Sequence, residues 1–173
     1  MIEIMSATID DTNEARKIRS ILEQVNDPEV PVLSVMDLGI VREIKPSGDE
    51  IEIIITPTYS GCPAMDVISL NIRMALLAEG YKKVTVKNVL SPAWTTDWMS
   101  DSGKQKLKEY GIAPPNIKQQ VCNHEEFEVD EAVQCPHCNS YHTQRVSEFG
   151  STACKALYQC LDCKEPFDYF KCH

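Results

Sequence analysis

Two C-x-x-C knuckles, Cys135-Pro136-His137-Cys138 and Cys160-Leu161-Asp162-Cys163, stand twenty-one residues apart near the end of this 173-residue chain. No other feature limits the fold so tightly. Each pair can place two sulfurs on one ion, and together the pairs complete a tetrahedral four-thiolate site. The gap slightly exceeds the usual range, and a hairpin between the knuckles absorbs the excess. Gln144-Arg145-Val146 and Ala156-Leu157-Tyr158-Gln159 supply strands on either side of a turn at Gly150-Ser151. A module of about forty residues cannot bury enough apolar surface to fold unaided. A structural zinc ion supplies the deficit, on the order of 10–16 kcal/mol at neutral pH. Iron is the other ion that a sulfur tetrahedron holds. The expectation is a β-rich, four-cysteine zinc ribbon over residues 133–173.

Cysteine usage supports a metal over disulfides. The chain has eight cysteines, and its first residues, Met1-Ile2-Glu3-Ile4-Met5-Ser6, lack the basic region and apolar run of a secretory signal. A cytoplasmic location is expected. Cys154, Cys172 and His173 remain outside the knuckles. They are either additional metal ligands, or a buried apolar cysteine and a loose tail. Cys122-x-His124 is a weak metal pattern, because short Cys/His pairs arise by chance.

Net charge excludes one common role of ribbons. The chain carries −9 with a pI near 4.9. Glu125, Glu126, Glu128, Asp130 and Glu131 make the stretch before the ribbon strongly acidic. Within the ribbon, Arg145, Lys155, Lys164 and Lys171 balance Glu148, Asp162, Glu165 and Asp168. The basic footprint needed to hold nucleic-acid phosphates is missing, so the ribbon reads as structural or protein-docking.

The longer N-terminal part has a different grammar. Ile18, Ile21, Leu22 and Val25 form a helical stripe, with Asp11 and Glu14 placed as a capping pair and Pro28 beyond its end. Ile40 to Ile44 reads as a strand, Pro46-Ser47-Gly48-Asp49 as a turn, and Ile51, Ile53 and Ile55 as the buried face of a second strand. Val67, Ile68, Ile72, Ala75 and Leu76 recur at helical spacing up to Gly80, and Val84, Val86 and Val89 suggest a third strand. Ser100 or Asp101 can cap a last helix ending at Gly111. A hairpin followed by a helical crossover implies a small three-stranded mixed sheet with packed helices, an α/β (α+β) domain over residues 10–113. Residues 114–132 form an acidic linker.

Cys62 lies where the second strand ends and the next helix begins, in Thr58-Tyr59-Ser60-Gly61-Cys62-Pro63. Pro63 suits the first helical turn, which puts the thiol at the positive end of the helix dipole, where thiols tend to acidify. Cys62 is then either a reactive or metal-binding thiol, or a small apolar cap under the loop. The carboxylates of Asp27, Glu29 and Asp37 could bind metal, and turn or cap roles explain them equally well. Trp94 reads as a packing residue. Hydrolysis with Cys62 as nucleophile lacks a partner, since no histidine precedes residue 124.

Several ordered motifs carry a resemblance. Asp27-Pro28-Glu29-Val30-Pro31, Asp37-Leu38-Gly39-Ile40-Val41, Thr58 to Pro63 and Pro92-Ala93-Trp94-Thr95 resemble the iron–sulfur assembly domain of SufT-like proteins. Gly111-Ile112-Ala113-Pro114-Pro115, Gly150 to Ala156 and Glu165 to His173 extend the resemblance to the D-subunit family of the phenylacetyl-CoA epoxidase system. That resemblance implies an accessory, non-enzymatic role in maturing a multicomponent monooxygenase of phenylacetate catabolism, with iron or an iron–sulfur cluster as cargo. It implies Cys62 as the transient thiolate ligand, and the oxygenase or reductase subunits as partners. A homodimer would bring two Cys62 sulfurs together. The alternative is an electron-transfer or structural subunit with iron in the ribbon.

Overall fold

A computed structural model describes residues 13–59, 61–115 and 133–171. The chain divides into two compact units, one up to Trp94 and one from Thr95 onward.

The first unit is the expected mixed sheet under helices. α1 (Asn13–Leu22) buries Ala15, Ile18 and Leu22, one face of a 3.6-residue period. The Asp11 capping position lies outside the described residues. β1 (Val41–Ser47) and β2 (Glu50–Ile55) form a hairpin, and β3 (Lys83–Asn88) lies parallel to β2 on its other side. The order β1-β2-β3 leaves β2 central, which is why Ile51, Ile53 and Ile55 are buried. The hairpin turn is tighter than expected. Ser47 pairs with Glu50, so only Gly48 and Asp49 lie between the strands, and Gly48 takes the left-handed φ of 61°. Pro46 sits inside β1, which is tolerated because β1 is an edge strand.

α2 (Ala64–Ala78) crosses from β2 to β3 and buries Ala64, Met65, Ile68, Ile72 and Leu76. Val67, which the spacing groups with that buried set, instead faces outward at 45% exposure. Ile68, Ile72 and Leu76 already fill the face toward the sheet, and Val67 lies on the other side of the helix.

The second unit contains α3 (Asp101–Glu109), capped by Ser100, whose Oγ accepts from the Gly103 N–H at 2.8 Å. Gly111 follows with φ 87°. The four-stranded sheet runs β4-β7-β6-β5, from β4 (Ile112–Ala113), β5 (Thr143–Ser147), β6 (Lys155–Cys160) and β7 (Pro166–Phe170). β5 and β6 are the two strands expected from sequence, and β4 and β7 are additions to them. Because β4 pairs in parallel with β7, α3 and β4 belong with the ribbon, whereas residue spacing alone assigns them to the first domain. Ala113, Val133, Ala156, Tyr158, Phe167 and Tyr169 make the ribbon's small core. The Tyr158 ring stacks on Phe167 at 5.9 Å and meets Tyr169 edge-on at 5.6 Å. No helix among the described residues is long and apolar enough to cross a membrane.

Candidate functional sites: a four-sulfur cluster and a helix-end thiol

The two knuckles have the same backbone design. In the first, the Cys135 N–H donates to the Ser140 carbonyl at 2.8 Å, and Asn139 has φ 62°. In the second, the Cys160 N–H donates to the Glu165 carbonyl at 3.0 Å, and Lys164 has φ 67°. Each left-handed residue, four positions after the first cysteine, turns the chain so that backbone N–H groups point at the sulfurs. Asp162 ties the knuckles together: its carboxylate accepts from Ser140 Oγ at 2.5 Å and lies 3.0 Å from His142 Nδ1. Those contacts, Ser140 first and His142 second, hold the Asp162 carboxyl below its usual range.

The result is four sulfurs in one place. The Sγ atoms of Cys135, Cys138, Cys160 and Cys163 all lie within 4.8 Å of one another. Cys138 and Cys160 are 3.5 Å apart, and Cys135 and Cys163 are 3.8 Å apart. A tetrahedral zinc with bonds of about 2.3 Å requires sulfurs about 3.8 Å apart, so the cluster has the right size and donor set. Its thiols do not ionise alike. Burial opposes ionisation of Cys160, but the N–H groups of Cys163 and Asp162 and the neighbouring thiols outweigh it and bring the thiol down to about 7. The Glu165 N–H favours the Cys163 thiolate, yet burial and the sulfurs of Cys138, Cys160 and Cys135 push it up to about 12. Four crowded thiolates need a cation among them.

Cys154 does not join this cluster. It is buried, with its Sγ 3.0 Å from Thr152 Oγ1. Cys172, His173, Cys122 and His124 lie outside the described residues.

In the first unit, Cys62 is half-buried immediately before Pro63, the N-cap of α2. The expected acidification does not survive the surroundings. Burial is the largest influence and pushes the thiol up; the Ala64 N–H at the helix start opposes it, and the Met65 N–H does so more weakly. The carboxylates of Glu29 and Asp27 reinforce the upward shift. The helix end therefore acts in the predicted direction and loses to desolvation and like charge.

The acidic motifs hold the surrounding loops. Asp27 Oδ1 accepts from the N–H groups of Glu29 and Val30 at 2.6 and 2.9 Å. Ser34 and Asp37 bond reciprocally: Asp37 Oδ2 accepts from the Ser34 N–H and hydroxyl, and Ser34 Oγ accepts from the Asp37 N–H. These are turn roles. Buried Trp94 donates from Nε1 to the Leu38 carbonyl at 2.9 Å, joining two of the sequence motifs. What sequence reasoning missed is the pairing of Cys62 with the field of Asp27 and Glu29. No local pattern signals it.

Similarity to known proteins follows the two units. A family model described as iron–sulfur cluster assembly protein matches residues 15–88, and one described as PaaD zinc beta ribbon domain matches residues 119–171. An Escherichia coli (strain K12) protein, named as the D-subunit of 1,2-phenylacetyl-CoA epoxidase, is 48% identical over 159 residues, covering 92% of this chain and 93% of that protein. An Fe-S protein maturation auxiliary factor of Porphyromonas gingivalis is 34% identical over 88 residues, covering 50% of this chain and 83% of that protein. The crystal structure of a domain of unknown function, DUF59, from Bacillus anthracis superposes with a TM-score of 0.50 at 27% identity, covering 53% of this chain and 89% of that one.

Proposed function

The chain belongs to the PaaD family, the D-subunits of 1,2-phenylacetyl-CoA epoxidase, with an iron–sulfur assembly domain and a zinc ribbon, and from that premise we propose that it is a maturation factor for the epoxidase. It delivers or helps assemble iron or an iron–sulfur cluster in the oxygenase or reductase subunits and does not itself catalyse ring epoxidation. Cys62 is the transient ligand to the cargo. Cys135, Cys138, Cys160 and Cys163 hold a structural zinc, which stabilises the ribbon and takes no part in transfer.

The observation that carries this reading is the electrostatic setting of Cys62. A thiol raised by burial and by two carboxylates rests protonated at neutral pH, unlike a nucleophile prepared for attack. The same negative field that disfavours a bare thiolate favours a cation beside it. A bound metal displaces the thiol proton to solvent, and release restores it, so the sulfur binds only while cargo is present. One cysteine supplies one of the four ligands that a [2Fe–2S] cluster needs. Such a ligand gives cargo up readily.

The reading is tested by expressing the other epoxidase subunits with and without this protein and comparing their iron, sulfide and activity. Lower loading without it is expected, and equal loading would remove the maturation role. Four thiolates also accommodate iron, which favours a second reading as an electron-transfer subunit. A visible spectrum and metal analysis of the purified protein separate the two. Colourless protein with one zinc supports maturation, and a reversible iron–thiolate chromophore supports electron transfer.

A further inference from the structure

The two knuckles repeat one backbone turn, but their third residues differ. His137 and Asp162 hold equivalent places, and each donates its N–H to the first sulfur of its own knuckle, Cys135 or Cys160. Their side chains then take separate directions. The His137 ring lies beside Gly111, where a Cβ would stand 3.3 Å from it. The Asp162 side chain crosses to the other knuckle: Oδ2 accepts from Ser140 Oγ at 2.5 Å, and Oδ1 lies 3.0 Å from His142 Nδ1. Ser140 and His142 stand at the exit of the first knuckle, just beyond Cys138. Ser140 Oγ also accepts the His142 N–H at 2.9 Å, and the Leu161 N–H donates to the His142 carbonyl at 2.8 Å. These contacts form one clasp between the knuckles.

Asp162 is not itself a donor to the ion. Among the described residues the ligand group consists of the four sulfurs, and both carboxylate oxygens of Asp162 are engaged in the clasp. The sulfurs are unequally sheltered. Cys135 and Cys160 are buried, Cys163 is half-buried and Cys138 is exposed. A competing ligand therefore reaches the ion from the Cys138 side. Losing the ion there begins with displacement of Cys138 Sγ, as the chain from Cys138 to Ser140 swings away from the second knuckle. The clasp ties that same stretch to the residue before Cys163.

We propose that Asp162 is a positioning residue that holds the knuckles closed and sets how slowly the ribbon exchanges its metal. It acts through Ser140 and His142. While the clasp is shut, a Cys138 thiolate that leaves the ion stays close to it and rebinds before a competitor takes its place. Bonds to a carboxylate are stronger than neutral ones, and loss of an outer-shell partner lowers metal affinity roughly 10–100-fold. The clasp is exposed, so it adds little to folding beside the ion itself. Its effect belongs to the rate of metal loss. The inference rests on the reading that these sulfurs hold a resident ion, and it supplies the device that keeps the ion resident.

The full chain, loaded with zinc, is mixed with an excess of a chromophoric chelator, pyridylazoresorcinol. Asp162→Ala should release zinc on the order of 10-fold faster than wild type, and Ser140→Ala should do likewise. The double variant should be no faster than Ser140→Ala alone, because both changes remove the same contact. Asp162→Asn, whose amide oxygen still accepts from Ser140 Oγ, should restore most of the slow release. Cobalt(II) in place of zinc should give the same four-thiolate absorption in every variant, and the amide dispersion of residues 133–171 should be unchanged. A residue needed only for the fold would move both. Release from Asp162→Ala at the wild-type rate overturns the proposal, as does a double variant in which the two accelerations multiply. Loss of the cobalt spectrum in Asp162→Ala and Ser140→Ala alike makes the clasp part of the fold and also overturns it. A wild-type chain that binds no zinc overturns the resident-ion reading as well, which separates the two failures.

Discussion

Cys138 Sγ and Cys160 Sγ come from different knuckles and lie 3.5 Å apart. The β5–β6 hairpin sets that distance: Thr143 pairs with Cys160 across it, so the second knuckle starts opposite the strand that leaves the first. The ribbon is thus folded around four sulfurs, and its aromatic core of Tyr158, Phe167 and Tyr169 is small.

The ribbon should therefore depend on its ion. Removing metal with a strong chelator, or introducing Cys160→Ser, should unfold β5–β7. A structural zinc contributes on the order of 10–16 kcal/mol, which exceeds what a core of this size provides. Nuclear magnetic resonance should show collapse of the amide dispersion of residues 133–171 while first-unit amides stay dispersed. Unchanged ribbon dispersion in metal-free protein would contradict the assignment.

Metal affinity should fall as pH falls. Ligation requires all four thiols to lose their protons, and Cys163 without metal is raised to about 12. Acidification restores protons to the metal-free form and competes with the ion. Competition titrations with a zinc indicator at pH 6 and pH 8 should show weaker binding at the lower pH. Equal affinities would mean that fewer thiolates participate.

Cys62 should alkylate slowly at neutral pH. Burial and the carboxylates of Glu29 and Asp27 raise its pKa, so its thiolate fraction lies below that of a free cysteine and grows as pH rises through and beyond 9. Glu29→Gln removes one of the opposing charges and should speed the reaction. Peptide mapping after iodoacetamide treatment separates Cys62 from the ribbon sulfurs. Alkylation faster than that of a free thiol at pH 7 would contradict the electrostatic picture.

Trp94→Phe should destabilise the first unit by about 1–3 kcal/mol. The change leaves the buried Leu38 carbonyl without the indole N–H that reaches it at 2.9 Å. Urea unfolding should show the loss as a lower midpoint with little change in slope.

Much of this fold is legible in residue spacing. The alternation of Ile51, Ile53 and Ile55, the C-x-x-C pairs and the Ser100 cap each carry a local signal that tertiary structure respects. β4 is not legible, because two residues, Ile112 and Ala113, are too few to show a period. β7 opens on Pro166, which disguises the alternation of Phe167 and Tyr169. Val67 is misplaced by spacing because α2 is apolar on two faces, and composition does not say which face meets the sheet. The thiol at Cys62 is legible as chemistry. Its protonation is not, since Asp27 and Glu29 reach it from more than thirty residues upstream.

The central claim is that Cys62 carries cargo while the ribbon sulfurs hold a resident ion. The most direct measurement is the iron and sulfide content of epoxidase oxygenase and reductase subunits co-expressed with Cys62→Ser protein. The variant should keep its fold and its ribbon zinc, and the client subunits should be deficient in iron or cluster. Fully loaded, active epoxidase from cells that make only Cys62→Ser protein would contradict the claim.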